Sequence, residues 1–184
     1  IQSGNDAAVA LAEYVAGSEA AFAEMMNQAA AGLNLNGTHY VNSTGLPHPD
    51  HFSTARDISR LAAVITQQFP DHYRYYSIKE FGWKGIRQKN RNTLLWRDET
   101  VDGVKTGHTR SAGYCLVGSA ERDGMRLIAS VLGAQSKTKR ADAVYSLLRY
   151  GFASYDSKTV YRGGSKVVTA EVYKSVSPSL AVGV

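Results

Sequence analysis

A β-hairpin is the part of the sequence that most restricts its possible folds. Between residues 103 and 134, two apolar segments lie on either side of "ERDG", a turn sequence that ends in glycine. Apolar segments joined by so short a turn predict two antiparallel strands. A helix is predicted next, from Lys137 to Tyr150, and Gly151 is predicted to end it. Its predicted inward-facing residues are Ala141, Val144, Leu147 and Leu148.

The N-terminal part of the chain predicts helices. Asn5 or Asp6 can cap a first helix, because a short polar side chain satisfies the free N–H groups of the first turn, and Gly17 ends it. A second helix is predicted to begin at Ser18 and to end at Gly32 and the Asn-rich segment that follows. Apolar residues at helical spacing predict a core-facing stripe on this helix, formed by Phe22, Met25, Met26, Ala29 and Leu33.

A third helix and an aromatic-rich segment precede the hairpin. Ser53 or Thr54 can cap the helix. Its predicted inward-facing residues are Ile58, Leu61, Ala62 and Ile65. Residues 73–96 predict a strand, a turn at Gly82, a short strand and a loop. The aromatic side chains predicted to pack between lobes of the protein are Tyr73, Tyr75, Tyr76, Phe81 and Trp83.

The composition is that of a folded protein. Of 184 residues, 43% are hydrophobic and 20% are charged, which excludes a disordered chain. No apolar run reaches the roughly 18 residues that a membrane span needs. The net charge is +5, but the basic residues are scattered, which argues against a nucleic-acid-binding protein. The densest basic patch is interpreted as a solvated helix start, and it contains Lys137, Lys139 and Arg140. The single cysteine, Cys115, excludes an internal disulfide.

The sequence changes in character after Phe152. Short β-branched segments follow, separated by Gly163–Gly164 and by Pro178. This pattern predicts that residues 153–184 begin a separate β-rich domain and that residues 1–152 form the first domain. The chain starts at Ile1 without a methionine, so we expect it to be a segment of a longer precursor.

Two short motifs carry the functional prediction. Ser3-Gly4-Asn5 precedes the first helix, and Lys105-Thr106-Gly107 opens a strand about a hundred residues later. Alone, the first would be interpreted as a helix-capping turn and the second as an exposed strand end. Together, in this order, they resemble the second and third signature motifs of the penicillin-binding proteins and serine β-lactamases.

Longer strings narrow this resemblance to one family. "IQSGNDAAVALAEYVAGSEAAF", "STARD", "IRQKNRNTLLW", "VDGVKTGHT" and "YGF" are similar to the low-molecular-mass D-alanyl-D-alanine carboxypeptidases. The similarity runs from Ile1 to about Phe152. It implies an α/β (α+β) fold of the β-lactamase/transpeptidase type, with a helical subdomain and an antiparallel sheet, followed by the start of a C-terminal β-rich domain.

The resemblance implies catalytic roles for Ser3, Asn5, Lys105 and His108. A hydroxyl both donates and accepts, so Ser3 can pass a proton, while Asn5 can grip a substrate amide with both halves of its side chain. Lys105 can hold positive charge in the cleft and attract a carboxylate. The backbone N–H of His108 would form half of an oxyanion hole, so its imidazole is not the base.

The resemblance also implies a set of substrate-binding residues. Gly107 lets the substrate backbone lie close against the strand, because it has no side chain. The implied contacts to the carboxylate end of the substrate are Thr106, Thr109, Arg91 and Arg140. No metal and no cofactor is expected.

The implied activity is removal of the terminal D-alanine from peptidoglycan stem pentapeptides through an acyl-enzyme that β-lactams block. A periplasmic location is implied as well, with inner-membrane association through a C-terminal anchor. The family's nucleophile lies in a Ser-x-x-Lys motif upstream of Ser-x-Asn, and we expect it on residues before Ile1, so this chain should not acylate as it stands. "SKTK", residues 136–139, fits that motif by letters alone and is interpreted as a strand-to-helix turn.

Alternative interpretations remain open. A class A β-lactamase needs a deacylating glutamate between the two motifs, and only Glu80 and Glu99 lie in the right interval. A non-catalytic muropeptide-binding protein would use the same cleft without cutting. Cys115 is interpreted as a small buried residue of a strand rather than a nucleophile. The residues of the Pro-flanked loop that could bind a metal are interpreted as a solvated turn, and they are His48, Asp50 and His51.

Overall fold

The computed structural model describes residues 1–174, 176–177 and 179–183. By their contacts these residues fall into two units, Ile1–Ser154 and Tyr155–Val184. In the part of the chain that the structure describes, no helix is both long enough and apolar enough to cross a bilayer.

Helices dominate the first half of the first unit, and strands follow. The helices are α1 (Asn5–Ala16), α2 (Glu19–Gly32), α3 (Ala55–Gln68), α4 (Pro70–Tyr73), a 3₁₀ turn (Arg74–Ser77), α5 (Leu94–Arg97) and α6 (Lys137–Ser154). The strands are β1 (Glu80–Trp83), β2 (Ile86–Lys89), β3 (Val101–Thr109), β4 (Gly113–Arg122) and β5 (Met125–Ala134). The mixed fold class predicted from the sequence is confirmed.

The end of α1 and the starts of α2 and α3 follow the predicted capping chemistry, but the start of α1 does not. Gly17 ends α1 in a left-handed conformation with φ 81°. The hydroxyl of Ser18 accepts from the Ala21 N–H, and that of Thr54 accepts from the Asp57 N–H. The prediction that Asn5 or Asp6 caps α1 is wrong: Gly4 occupies the N-cap position and no side chain caps the helix.

The predicted apolar stripe of α2 is only partly buried. Met25 is 47% exposed and Ala29 is exposed as well, whereas the buried residues of α2 are Ala23 and Ala30. Helix α1 packs against α2, and its buried residue is also an alanine, Ala12. The fully buried residues of these two helices are therefore alanines, and the larger residues of the predicted stripe are at most partly buried.

A three-stranded antiparallel sheet in the order β3-β4-β5 forms the centre of this unit. Strands β4 and β5 are joined at Asp123 and Gly124, whose φ angles of 49° and 79° suit a tight hairpin turn. Neighbouring residues of β4 face opposite sides of the sheet: Leu116 packs with α5 and α6, and Val117 packs with α3. The hairpin prediction is confirmed, and β3 is left at an edge of the described sheet.

Helix α6 extends past its predicted end. Gly151 is buried inside the helix. Leu127 packs so close to it that a Cβ atom at this position would lie 2.6 Å from Cδ1 of Leu127. Gly118 of β4 shows the same kind of close approach, since a Cβ atom would lie 2.4 Å from Cγ1 of Val144. Leu147, which was predicted to face inward, is 48% exposed. Gly151 is thus needed for packing against the sheet and does not end the helix.

The small sheet β1–β2 corrects two further predictions. Its turn lies at Lys84 and Gly85, which have φ angles of 47° and 80°, so Gly82 is a strand residue. Trp83 is 67% exposed, and Phe81 and Tyr75 are also exposed, so these three aromatic side chains do not pack between lobes. Of the other two, Tyr73 is buried in a core cluster and Tyr76 is partly buried against it.

The second unit contains two antiparallel strands, β6 (Lys166–Glu171) and β7 (Ser179–Gly183). The boundary predicted after residue 152 falls within α6. The predicted break at Pro178 lies outside the described residues. Assignment of this segment to a larger β-rich domain stays a prediction.

Candidate active site

The Ser3 segment turns sharply into α1. Ser3 has a φ of 60°, a left-handed conformation that is uncommon for serine. Gly4 follows as the N-cap residue, and Asn5 is the first residue of the helix. Both Ser3 and Asn5 are exposed. This turn presents a hydroxyl and a carboxamide beside each other at the start of a helix.

Gln2 fastens this turn to a distant part of the chain. Its side-chain amide donates to the Lys89 carbonyl at 3.4 Å, and its side-chain oxygen accepts from Nη2 of Arg91 at 3.3 Å. These bonds join residues 87 and 89 positions apart. They bring the Ser3 segment to the loop that carries Arg91.

Two asparagines that are not among the predicted site residues hold the Arg91 loop. Asn92 is 1% exposed, and its amide donates to the Gly103 carbonyl of β3 at 2.9 Å. The side chain of Asn90 donates to the Ile78 carbonyl at 3.0 Å, and its oxygen accepts from the Asn92 N–H. The only sequence signal was their place in the string "NRN". The loop is therefore fixed directly to the strand that carries Lys105.

Lys105 lies on the edge strand β3, with its amine close to the backbone. Its Nζ donates to the Thr106 carbonyl at 2.7 Å. Burial in the groove and the positive charges of Arg91 and Arg140 lower the pKa of Lys105 below its ordinary value. The side chain nevertheless reaches solvent. The structure therefore places a destabilised positive charge at this edge of the sheet.

Arg140 approaches the same strand from α6. It is 5% exposed, and its Nη1 donates to the carbonyls of Gly107 at 3.0 Å and Cys115 at 3.2 Å. These two residues are cross-strand partners on β3 and β4. Arg140 thus ties the helix to the strand pair while its charge remains near Lys105.

The remaining predicted residues follow Lys105 along β3. Thr106 is buried, whereas Gly107 and His108 are exposed. The His108 ring packs on its cross-strand partner Tyr114 with 4.0 Å between ring centroids. The Thr109 hydroxyl accepts from the Ala112 N–H at 2.9 Å. The imidazole of His108 is therefore held by packing on an aromatic ring.

All the predicted site residues line one groove of about 1450 Å³. They are Ser3, Asn5, Arg91, Lys105, Thr106, Gly107, His108, Thr109 and Arg140. The two motifs, about a hundred residues apart in sequence, thus share one concave surface.

A loop outside the predicted site residues forms another wall of the groove. It runs from residue 42 to residue 46. The Asn42 oxygen accepts from the Gly45 N–H at 2.7 Å, and Ser43 donates to the Glu19 carboxylate of α2 from both its N–H and its hydroxyl. The cluster of Asn, Ser, Thr and Gly residues is typical of a turn, and nothing in the sequence alone pointed to the groove.

Ser136 and Cys115, which were interpreted as structural residues rather than nucleophiles, can be compared with that interpretation. Ser136 accepts from the Lys139 N–H at 3.1 Å and so caps α6, as a strand-to-helix turn should. Cys115 was predicted to be buried, but it is half-buried and lines the groove, because β4 lies next to the edge strand. Its Sγ lies 3.4 Å from the Ala112 carbonyl oxygen.

The histidines of the Pro-flanked loop accept hydrogen bonds from backbone N–H groups in and beside that loop. Nδ1 of His48 accepts from the Asp50 N–H at 3.2 Å, and Nδ1 of His51 accepts from the Val41 N–H at 3.4 Å. Burial, followed by the neighbouring His39 and His48, lowers the pKa of His51. These imidazoles therefore shape the loop.

Comparison with known proteins agrees with this geometry. Residues 1–136 match the family described as D-alanyl-D-alanine carboxypeptidase. The chain is 42% identical over 185 residues to the D-alanyl-D-alanine carboxypeptidase DacD of Escherichia coli (strain K12), a match that covers 100% of this chain and 47% of the relative. It is 39% identical to the solved penicillin-binding protein 5 of Haemophilus influenzae, with a TM-score of 0.87 over 97% of this chain and 53% of that one.

A third similar protein was solved with antibiotics bound. Penicillin-binding protein D2 of Listeria monocytogenes, in its cefotaxime-bound form, is 34% identical, with a TM-score of 0.75 over 82% of this chain and 62% of that one. The same protein is known in an ampicillin-bound form. The chain spans about half the length of the curated relatives it matches.

Proposed function

The chain belongs to the D-alanyl-D-alanine carboxypeptidase family, and we propose that the whole protein removes the terminal D-alanine from peptidoglycan stem pentapeptides. The reaction would proceed through a serine acyl-enzyme that water then hydrolyses. One observation carries the proposal: Ser3, Asn5 and the Lys105–His108 segment line a single groove. A helix-capping turn and an exposed strand end would have no reason to meet in this way.

Acylation needs a nucleophile, a route for its proton and a way to neutralise charge. The family resemblance supplies the nucleophile as the serine of a Ser-x-x-Lys motif. Its oxygen would attack the carbonyl of the penultimate D-alanine, and its proton would go to the departing amine of the terminal D-alanine. The Ser3 hydroxyl can relay that proton, because it both donates and accepts. The Lys105 charge would favour negative charge that develops nearby.

The substrate would lie along the edge of β3. His108 follows Thr106 by two residues, so its N–H points to the same side of the strand as the Thr106 carbonyl, which accepts from Lys105. This direction supports the His108 N–H as an oxyanion donor. Arg140 and the threonines of this strand would meet the terminal carboxylate, and Gly107 leaves room for the substrate backbone.

We further propose that β-lactams acylate the same serine and that the protein acts in the bacterial cell envelope, on its periplasmic side. The antibiotic-bound forms of the Listeria protein support the first point for the family. The finer proposal of inner-membrane association through a C-terminal anchor follows from the family resemblance. Membrane fractionation of cells that make the whole protein tests it, and recovery in the cytoplasmic fraction would contradict the envelope location.

Labelling the whole protein with fluorescent penicillin tests the proposed chemistry. We expect a covalent adduct that survives denaturation. The variant Lys105→Ala should acylate about a hundredfold more slowly, which is the scale found for electrostatic groups in acyl transfer. A wild-type protein that forms no adduct would refute the function. An unchanged rate in the variant would refute only the role of Lys105.

A further inference from the structure

The candidate groove is lined by basic side chains and by no carboxylate among the described residues. The basic residues are Arg91, Lys105, Lys137 and Arg140. Lys105 belongs to the second of the two motifs, and the family resemblance implied Arg91 and Arg140 as well. Lys137 was not a predicted site residue, and the family resemblance gives it no role.

None of these charges is neutralised by an ion pair within the described residues. Arg91 bonds the side-chain oxygen of Gln2, and Lys105 and Arg140 bond backbone carbonyls. The ion pairs of the described chain lie elsewhere. Their arginines are Arg87, Arg97, Arg122 and Arg126, each with a carboxylate within 4.0 Å. The repulsion is felt inside the groove, because after burial it is Arg91 and Arg140 that lower the pKa of Lys105.

Among the basic residues of the groove, Lys137 is the one that does not hold other parts of the fold in place. It is exposed at the first position of α6, three residues before the buried Arg140, so both lie on one face of the helix. Within the described residues it forms no ion pair. Its neighbour Lys139 is equally exposed but does not line the groove. A comparison of the two lysines therefore distinguishes the effect of a charge in the groove from the effect of a charge that is only near it.

We propose that this groove selects ligands by net negative charge and that Lys137 is a specificity-determining residue of this selection. The inference rests on the proposed function, because it concerns ligands of the same site. A cleft lined by charges of one sign concentrates oppositely charged ligands and raises their association rate. Stem peptides or β-lactams with a carboxylate beyond the one that the family recognises would gain most from Lys137.

Acylation of the whole protein by three penicillins with the same fused ring tests the proposal. The probes are zwitterionic ampicillin, singly anionic benzylpenicillin and doubly anionic carbenicillin. Raising the salt from about 0.01 M to about 1 M shortens the screening length from about 30 Å to about 3 Å. The second-order acylation rate should then fall steeply for carbenicillin, less for benzylpenicillin and little for ampicillin.

Charge reversal at Lys137 gives the matched comparison. At about 0.15 M salt, where the screening length is about 8 Å and only nearby charges act, Lys137→Glu should lower the carbenicillin rate about fivefold relative to the ampicillin rate, the scale of one exposed charge pair. Lys139→Glu changes the net charge equally and should alter that ratio less than twofold. Lys137→Arg should keep the wild-type ratio. Melting temperatures within a few degrees of wild type will show that the variants fold.

The possible failures are distinct. If no penicillin acylates the wild-type protein, the proposed function fails and this inference with it. If all three acylate but salt affects them equally, the charge selection is wrong. If the Lys137 and Lys139 variants shift the ratio by the same amount, net charge alone acts, and the assignment to Lys137 is overturned.

Discussion

Replacing Asn92 with alanine should lower the free energy of unfolding by about 3 kcal/mol. The Asn92 side chain is buried and pairs two backbone groups: it donates to the Gly103 carbonyl at 2.9 Å and accepts from the Leu94 N–H at 3.2 Å. Alanine would leave both groups buried without these partners. Each such group costs about 1–3 kcal/mol, so two at about 1.5 kcal/mol give the expected value.

Urea unfolding of the whole protein, followed by tryptophan fluorescence, measures this loss. Trp96 lies in α5, four residues after Asn92, so its emission reports on this part of the first unit. The exposed Asn36 offers a control, since Asn36→Ala should change stability by less than about 0.5 kcal/mol. The acylation rate should fall as well, because the loop that Asn92 holds carries Arg91.

The result that would refute this reasoning is simple to state. If Asn92→Ala costs less than about 1 kcal/mol and matches the Asn36 control, the two backbone groups find other partners. The loop would then not depend on Asn92. A large loss of stability with an unchanged acylation rate would separate the stability role from the positioning of Arg91.

Two further predictions concern packing and charge. Gly118→Ala should destabilise the protein by about 2 kcal/mol, because the new Cβ would lie 2.4 Å from Cγ1 of Val144. Thermal melting checks this against Gly32→Ala, where a Cβ meets nothing within 4 Å, and equal melting temperatures would contradict it. Arg91→Gln should raise the pKa of Lys105, because Arg91 is a positive neighbour that adds to burial in lowering it. The alkaline limb of the acylation profile, where Lys105 loses its proton, should move to higher pH, and a fixed limb would disprove the coupling.

Local chemistry explains which elements the sequence revealed. The turn at Asp123 and Gly124 was predictable, because the flanking strands and the turn residues lie together in the chain. The end of α6 was not. The sequence around Gly151 is compatible with a glycine that ends the helix and with a glycine that leaves room for the Leu127 side chain. Only the position of β5 in the fold decides between these two roles. The same limit applies to α2, whose partner surface is a neighbouring helix.

The candidate site divides in the same way. Residues within the two motifs were found because each motif combines a residue type with an element, a turn before a helix or the edge of a strand. Asn92 and Lys137 were missed because their importance lies in what they face, the Gly103 carbonyl and the groove. Arg140 was selected, but its bonds to the backbone of two strands could not be read from sequence.

The fastening of Ser3 by Gln2 has a consequence for the order of folding. Both bonds of Gln2 are exposed and link segments that are nearly ninety residues apart. Such closures come late, since the chain must lose the entropy of the intervening loop before it gains them. They are also among the first to open in the native state. The turn that carries Ser3 should therefore exchange its amide hydrogens early, while the amides that pair β4 with β5 remain protected.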